Sequence, residues 1–562
     1  MFSYIKRFFS TNISFLIILV VVVFSLYGKA INFELTSLDD TTLIRDNFFY
    51  ISNIKNIPNF FTTSCFYSND YSYYRPILTL SFAIETILFG YNLKIYHLTN
   101  ILLFIFLLYL LYFFFVYYLK ANKTITKLII LLFSVHPVFS LVYVWIPARN
   151  DSLFAISVIL SLITLIKFLS YNKLKHLILF SFIFCISLFL KETGIILPLT
   201  YGLFIYFFNY KITKKQIYTI LFFLLPLIII YLLLRKYSVQ GTNIEFNLIN
   251  IKIILINIIN GLLMYVEKLL YPIYIPVLSF KVQLTFATII TNITFILFFF
   301  FIYKTNFLNK KTLIFSLLWY FLFLLPTFFI LDKQILFHRL LVPIIFLLYI
   351  FIIFIEKLLS KYKELSKYFI IIFILLFTTL YYVSFFQQDK YKDEENFTIN
   401  SYLDSPKSPV TCNSMAMLYM KNGNLDKAME LMNFVLQNKP TYQYLLNYAL
   451  LLSAMGNFDE VENAYLLLEK DLTGKKELIY LPLSEIYYIK EDYQKAFDCI
   501  QKAYNLKPYD TTILKQLAKI DEKVGNIQQA LEIYTNLSKM EKGNKEYTDK
   551  ISLLEKALKK ID

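Results

Sequence analysis

The chain has 562 residues, is 58% hydrophobic and has a mean hydropathy of +0.57. A soluble globule of this length cannot cover so much apolar surface, so the composition points to a helical protein that crosses a membrane many times. The formal net charge of +16 does not mark a nucleic-acid binder, because the surplus lies in short loops between apolar runs, the pattern of the positive-inside rule.

In chain order, the first element is "MFSYIKRFFSTNISFLIILVVVVFSLYGKA", a basic flank followed by an apolar run. It reads as an uncleaved membrane anchor; the competing reading is a signal peptide with "GKA" as its small-x-small site. Further spans are predicted at 97–119, 125–142, 152–170, 175–190, 194–210, 216–235, 283–303, 312–331, 339–356 and 368–386, about eleven in all. Basic clusters fall on alternate loops: Lys6/Arg7, Lys120/Lys123/Lys127, Lys167/Lys173/Lys175, Lys211/Lys214/Lys215, Lys304/Lys310/Lys311 and Lys357/Lys361/Lys363/Lys367. That side is expected to be cytoplasmic. The opposite side collects acids, among them Glu34, Asp39, Asp40, Asp46, Asp70, Asp151, Glu192, Glu245 and Asp332. An odd span count then places the N-terminus inside and the C-terminus outside. Two stretches, 73–90 with Arg75 and Glu85 and 255–276 with Glu267 and Lys268, are expected to lie in the outer interface rather than cross.

A polar linker at 387–410 separates the apolar part from a repetitive one. "NGNLDKAMEL", "MGNFDEVENA", "KEDYQKAFDC" and "VGNIQQALEI" align on Gly423, Gly456, Glu491 and Gly525, spaced by 33, 35 and 34 residues. Seven residues before each marker stand the small residues Ala416, Ala449, Ser484 and Ala518, and Lys-Pro recurs at 439–440 and 507–508. This is the tetratricopeptide pattern of paired helices with a small residue where they cross. Such stacks offer a concave groove for peptide or protein partners; the alternative is a brace for the membrane part. The four cysteines show no metal-site spacing, and a Cys65–Cys412 bridge is one pairing they would allow.

Ionisable groups at membrane depth are costly, so those on the acidic side mark a site. They are Asp39 and Asp40 in "SLDDTTLIRDN", Tyr74 and Arg75 in "YYRP", His97 and Asn100 in "YHLTN", His136, Trp145, Arg149 and Asp151 in "HPVFSLVYVWIPARND", Lys191 and Glu192 in "KETGIILP", and His338 and Arg339 in "FHRLLVP". Cations beside a carboxylate pair suit an anionic, lipid-borne substrate with a proton acceptor nearby. For any one of these residues the alternative role is an interfacial anchor or a structural ion pair.

In this order, "LDDTTLIRDN", "YYRPILTLSFAIETILFGYNLKIYHLTNILL", "HPV…VWIPARND", "KETGIILP" and "RLLVP", followed by the repeats, resemble the transmembrane-and-tetratricopeptide-repeat O-mannosyltransferases and their bacterial relatives of the GT-C type. Leu141 and Phe104 depart from that family's usual acidic residue and His. The resemblance implies an all-α chain: a GT-C-type membrane glycosyltransferase domain over 1–386, the linker 387–410, and an extracytoplasmic tetratricopeptide domain over 411–562 in a bacterial inner membrane. It implies inverting transfer of a hexose such as mannose from a polyprenyl-phosphate donor to an acceptor hydroxyl, a Ser or Thr of a protein. Asp39 or Asp40 would be the general base. Arg149, Lys191, Arg339 and Arg75 would stabilise the leaving phosphate. Tyr74, His97, His136, Glu192 and Asp151 would line the substrate pocket. No cofactor is required on this reading; Asp40 orienting the acceptor or binding a divalent cation is the alternative to its role as base, and no dedicated metal site is indicated. The rival readings are a transferase acting on lipid A or polysaccharide, and a non-catalytic membrane scaffold that displays the repeats.

Overall fold

The computed structural model describes all residues except 1–10, 37, 67–72, 240–247, 280–284, 330–334, 439–440, 458–459, 462–464, 466–476, 541–543 and 562. Lys6/Arg7, Asp70, Glu245, Asp332 and the Lys-Pro at 439–440 therefore lie outside the described residues. The chain is helical, and among the described residues the only β-type contact is an isolated bridge between Ser279 and Ile335. Two compact units divide it. One comprises Met1–Thr36, Ile57–Ser81 and Leu93–Asn396; the other comprises Ser37–Asn56, Phe82–Asn92 and Phe397–Asp562. This division is discontinuous in sequence, unlike the linear one expected at the linker.

The first unit carries every long apolar helix among the described residues: Asn12–Asn32, Leu93–Tyr118, Ile146–Tyr171, Lys214–Ser238, Ile251–Leu270, Phe286–Thr305, Lys310–Phe329 and Leu365–Tyr391. These eight are long and apolar enough to cross a membrane, and a bent pair makes nine if it is one span. The pair is Lys123–Ser134 with Pro137–Val144, broken by 59° where an uninterrupted span over 125–142 is predicted. The cause is Pro137, which holds His136 in the extended region at φ −76, ψ 121. Three other predicted spans are short: Leu174–Leu190 and Ile345–Lys361 have 17 residues each and Leu197–Phe207 has 11. At 255–276 the difference runs the other way, since Leu248–Leu270 is one continuous helix with a spanning stretch inside it. The two charges near its C-terminal end are satisfied there, Lys268 on Glu267 at 2.6 Å and Thr288 donating to Glu267 at 2.7 Å.

Local chemistry sets the helix ends. Asn122 accepts from Thr124 N and Ile125 N, and Thr213 and Gln216 form a reciprocal capping box. Aromatic packing fills the interior, where Trp319 stacks among Phe315, Phe323 and Phe346 and donates to Val342 O at 2.9 Å. Few residues in the most apolar stretches of Lys214–Ser238 and Phe286–Thr305 are buried, 11% and 17%, so their apolar side chains stand exposed, as on helices that face lipid.

In the second unit, the described helices run in succession from Pro409–Lys421 to Lys545–Ile561. Ala416, Ala449, Ser484 and Ala518 are all at most 1% exposed, which is what a close helix crossing demands. The four aligned markers all turn the chain through the left-handed region, at φ 77, 82, 60 and 94 for Gly423, Gly456, Glu491 and Gly525. Glycine meets no steric penalty there; Glu491 does. None of the four cysteines forms a disulfide, so Cys65 and Cys412 are not bridged.

Candidate functional site

Five of the residues singled out by sequence meet in the first unit, each at the end of a helix. Arg75 precedes Pro76–Phe89, and Asp151 sits in the first turn of Arg149–Tyr171, where the helix dipole favours a carboxylate. Lys191 and Glu192 form the corner after Leu174–Leu190, and Arg339 lies on the short helix Phe337–Leu340. The corner is made by backbone: Lys191 leaves the helix at φ −150, ψ 137. Gly194 then passes so close to the helix end that a Cβ there would lie 2.8 Å from Ser187 O.

Two ion pairs occupy the site. Arg75 grips one Glu192 oxygen with Nε at 3.2 Å and Nη2 at 3.1 Å, while the backbone N–H of Tyr74 donates to the other at 3.0 Å. Lys191 pairs with Asp151, which also faces His338 Nε2 at 3.7 Å, too far for a hydrogen bond. Burial holds the Lys191 amine below its usual range, and Arg75 and Arg339 add to this against the pull of Asp151. Burial also pushes His338 down to about 3, Asp151 opposing and the surrounding cations assisting, so the ring is neutral near pH 7. Arg75, Lys191 and Arg339 thus face Asp151 and Glu192 with one positive charge in surplus. Arg339, partly exposed, has no carboxylate partner among the described residues.

Neutral polar groups line the same place. His338 Nδ1, Trp145 Nε1 and Thr193 Oγ1 are buried without a hydrogen-bond partner among the described residues, and the Trp145 and His338 rings lie 5.6 Å apart. Unpaired buried donors are costly and suit a polar ligand. Thr193, like Asn150, whose amide is also unpartnered, was not legible in sequence; only the run "KET" beside the two charged residues hinted at it.

Other predicted residues lie elsewhere. Arg149 turns to the helix Leu93–Phe113, with Nε on Asn100 Oδ1 at 2.9 Å and Nη2 on Tyr96 O at 3.0 Å. His97 is buried on that same helix, edge-on to Phe33. His136 has its Nε2 3.1 Å from Leu269 O and lines an apolar cavity. The Tyr74 hydroxyl donates to Phe61 O at 2.7 Å, so Tyr74 serves the site through its backbone. Among the described residues no group of His, Cys, Asp and Glu could hold a metal ion.

Asp39 and Asp40 belong to the second unit. Asp40 is 1% exposed and Asp39 is partly exposed, just before the helical turn Thr41–Arg45. Their segment is fastened to the repeat helices: Thr511 N donates to Asp46 O at 3.2 Å, Tyr50 packs on Tyr509 at 5.5 Å, and Phe49 joins the core around Leu517 and Tyr534.

No family model matches the chain, and no curated protein is significantly similar to it.

Proposed function

We propose that the protein is a membrane glycosyltransferase that moves a hexose from a polyprenyl-phosphate donor to an acceptor hydroxyl. The observation that carries this reading is the cation surplus of Arg75, Lys191 and Arg339 beside unpaired buried donors in a chain rich in apolar spans. A lipid phosphate that leaves as an anion needs such charge, and Arg339 can fork onto its oxygens. Trp145, Thr193 and neutral His338 offer hydrogen bonds to sugar hydroxyls. The base role goes to the first-loop pair on the strength of the resemblance. Of the two, partly exposed Asp39 is the better proton acceptor and buried Asp40 the better support.

The second unit supports a protein acceptor. Its buried small residues and recurrent left-handed turns suit a tetratricopeptide stack, whose groove binds extended peptides. The basic loops support a cytoplasmic N-terminus and extracytoplasmic repeats.

The test uses the purified full-length protein with radiolabelled polyprenyl-phosphate mannose or polyprenyl-phosphate glucose and a periplasmic protein extract. Label should reach protein with the native chain and be lost in Arg339→Gln and in Asp39→Asn/Asp40→Asn. Label in lipid or polysaccharide would move the acceptor assignment. No transfer from either donor, together with rescue of a deletion strain by both variants, would leave the scaffold as the account.

A further inference from the structure

A second cationic place in the first unit lies apart from the site above. Between the bent helix pair, the end of Leu248–Leu270, Phe286–Thr305, Ile345–Lys361 and Leu365–Gln387 runs a crevice of about 410 Å³. Phe133, Leu269, Phe295, Phe299, Leu348 and Leu380 line it. Only 17% of the residues in the most apolar stretches of Phe286–Thr305 and Leu365–Tyr391 are buried, so two of its walls are helices with exposed apolar faces.

Chain neighbours of the lining bring in two amines. Lys268 directly precedes Leu269, and Lys390 donates to Ile275 O at 3.1 Å, three residues beyond the lining Pro272. The two lie within charge–charge reach of each other. Lys268 has Glu267, whereas Lys390 is half-buried over the Tyr274 ring at 4.2 Å and has no carboxylate partner among the described residues. A half-buried amine beside a second amine is a costly arrangement that a neighbouring anion relieves.

We propose that this crevice and the Lys268–Lys390 amines hold one anionic glycerophospholipid, its acyl chain among the Phe and Leu side chains and its phosphate on the amines. Charge complementarity selects an acidic headgroup, for which lysine is a suitable point-charge partner. The bordering bilayer supplies the chain at high local concentration. The inference stands independently of the transfer reading.

The full-length protein, released from nanodiscs of phosphatidylcholine and phosphatidylglycerol, is examined by native mass spectrometry. One retained phosphatidylglycerol is expected, with phosphatidylcholine not retained. Retention should fall about tenfold or more in Lys390→Gln, in line with loss of a charge-assisted contact, and likewise in the crevice-filling Leu348→Trp. It should persist in Lys390→Arg and in Arg339→Gln, the latter a substitution in the other cationic place. Equal retention in Lys390→Gln and the native chain, or equal retention of phosphatidylcholine, overturns the proposal. So does displacement of the phosphatidylglycerol by polyprenyl phosphate added in equal amount, which would make the crevice a donor site.

Discussion

Both units bury charged or polar groups, and they keep them in different ways. In the first, three carboxylates are each held by a cation, Asp151 by Lys191, Glu267 by Lys268 and Glu192 by Arg75, while the buried Arg149 rests on an amide and a carbonyl oxygen. In the second, Asp521 is buried with an amide, accepting from Asn526 Nδ2 at 2.9 Å, and burial raises its carboxyl above the usual range. The reason is the surroundings. A carboxylate among lipid-facing helices has no water to fall back on, so it needs a counter-charge; one at a helix end beside a turn can take a proton or a local donor. Geometric precision in the first unit therefore resides in ionisable side chains, and in the second it resides in small residues and turns.

The sharpest way to break this contrast is Asp151→Asn, which strands Lys191. We expect a loss of about 3–5 kcal/mol, read as thermal unfolding in detergent. Adding Lys191→Met should recover much of it; purely additive losses would show that the two side chains are not coupled. On the other side, Ala518→Leu forces a larger side chain into a fully buried crossing and should cost about 1–3 kcal/mol. If it is neutral in the same melt, the crossing is looser than described.

A smaller effect follows from pH. His338 binds its proton more weakly folded than unfolded, so the stability it contributes is complete above its ordinary value near 6.5 and is lost as pH falls towards about 3. Between pH 7.5 and 5.5 the native chain should lose about 1.4 kcal/mol more than His338→Gln. Identical pH profiles would show that the ring is not held neutral. Last comes Glu491→Gly, which removes a side chain from a left-handed residue and should stabilise by about 1 kcal/mol. Gly525→Ala, at φ 94, should do the reverse by a similar amount. Equal melting temperatures for both would remove the turn from the account of the repeat.

The repeat markers show how much can be read locally. Their spacing picked out four marker residues and four small ones, and each marker is left-handed and each small residue buried, because both depend on the shape of one residue and its near neighbours. Apolar runs likewise identified the long helices. Length was less legible where proline acts at a distance of one residue, as at His136, or where a charged end is satisfied from another helix, as Glu267 is by Thr288.

By itself, then, the amino-acid sequence determined the helical class, most of the long apolar helices and the spacing of the C-terminal repeat. Tertiary structure decided which of them meet. Arg75, Asp151, Lys191, Glu192 and Arg339 gather because helix ends distant in the chain converge, whereas Arg149, two residues from Asp151, faces another helix. It also decided that the segment bearing Asp39 and Asp40 packs with the repeat helices, through Asp46, Phe49 and Tyr50. The physical reason is that periodicity is a local property of the chain, while pairing of charges depends on where separate helices end in space.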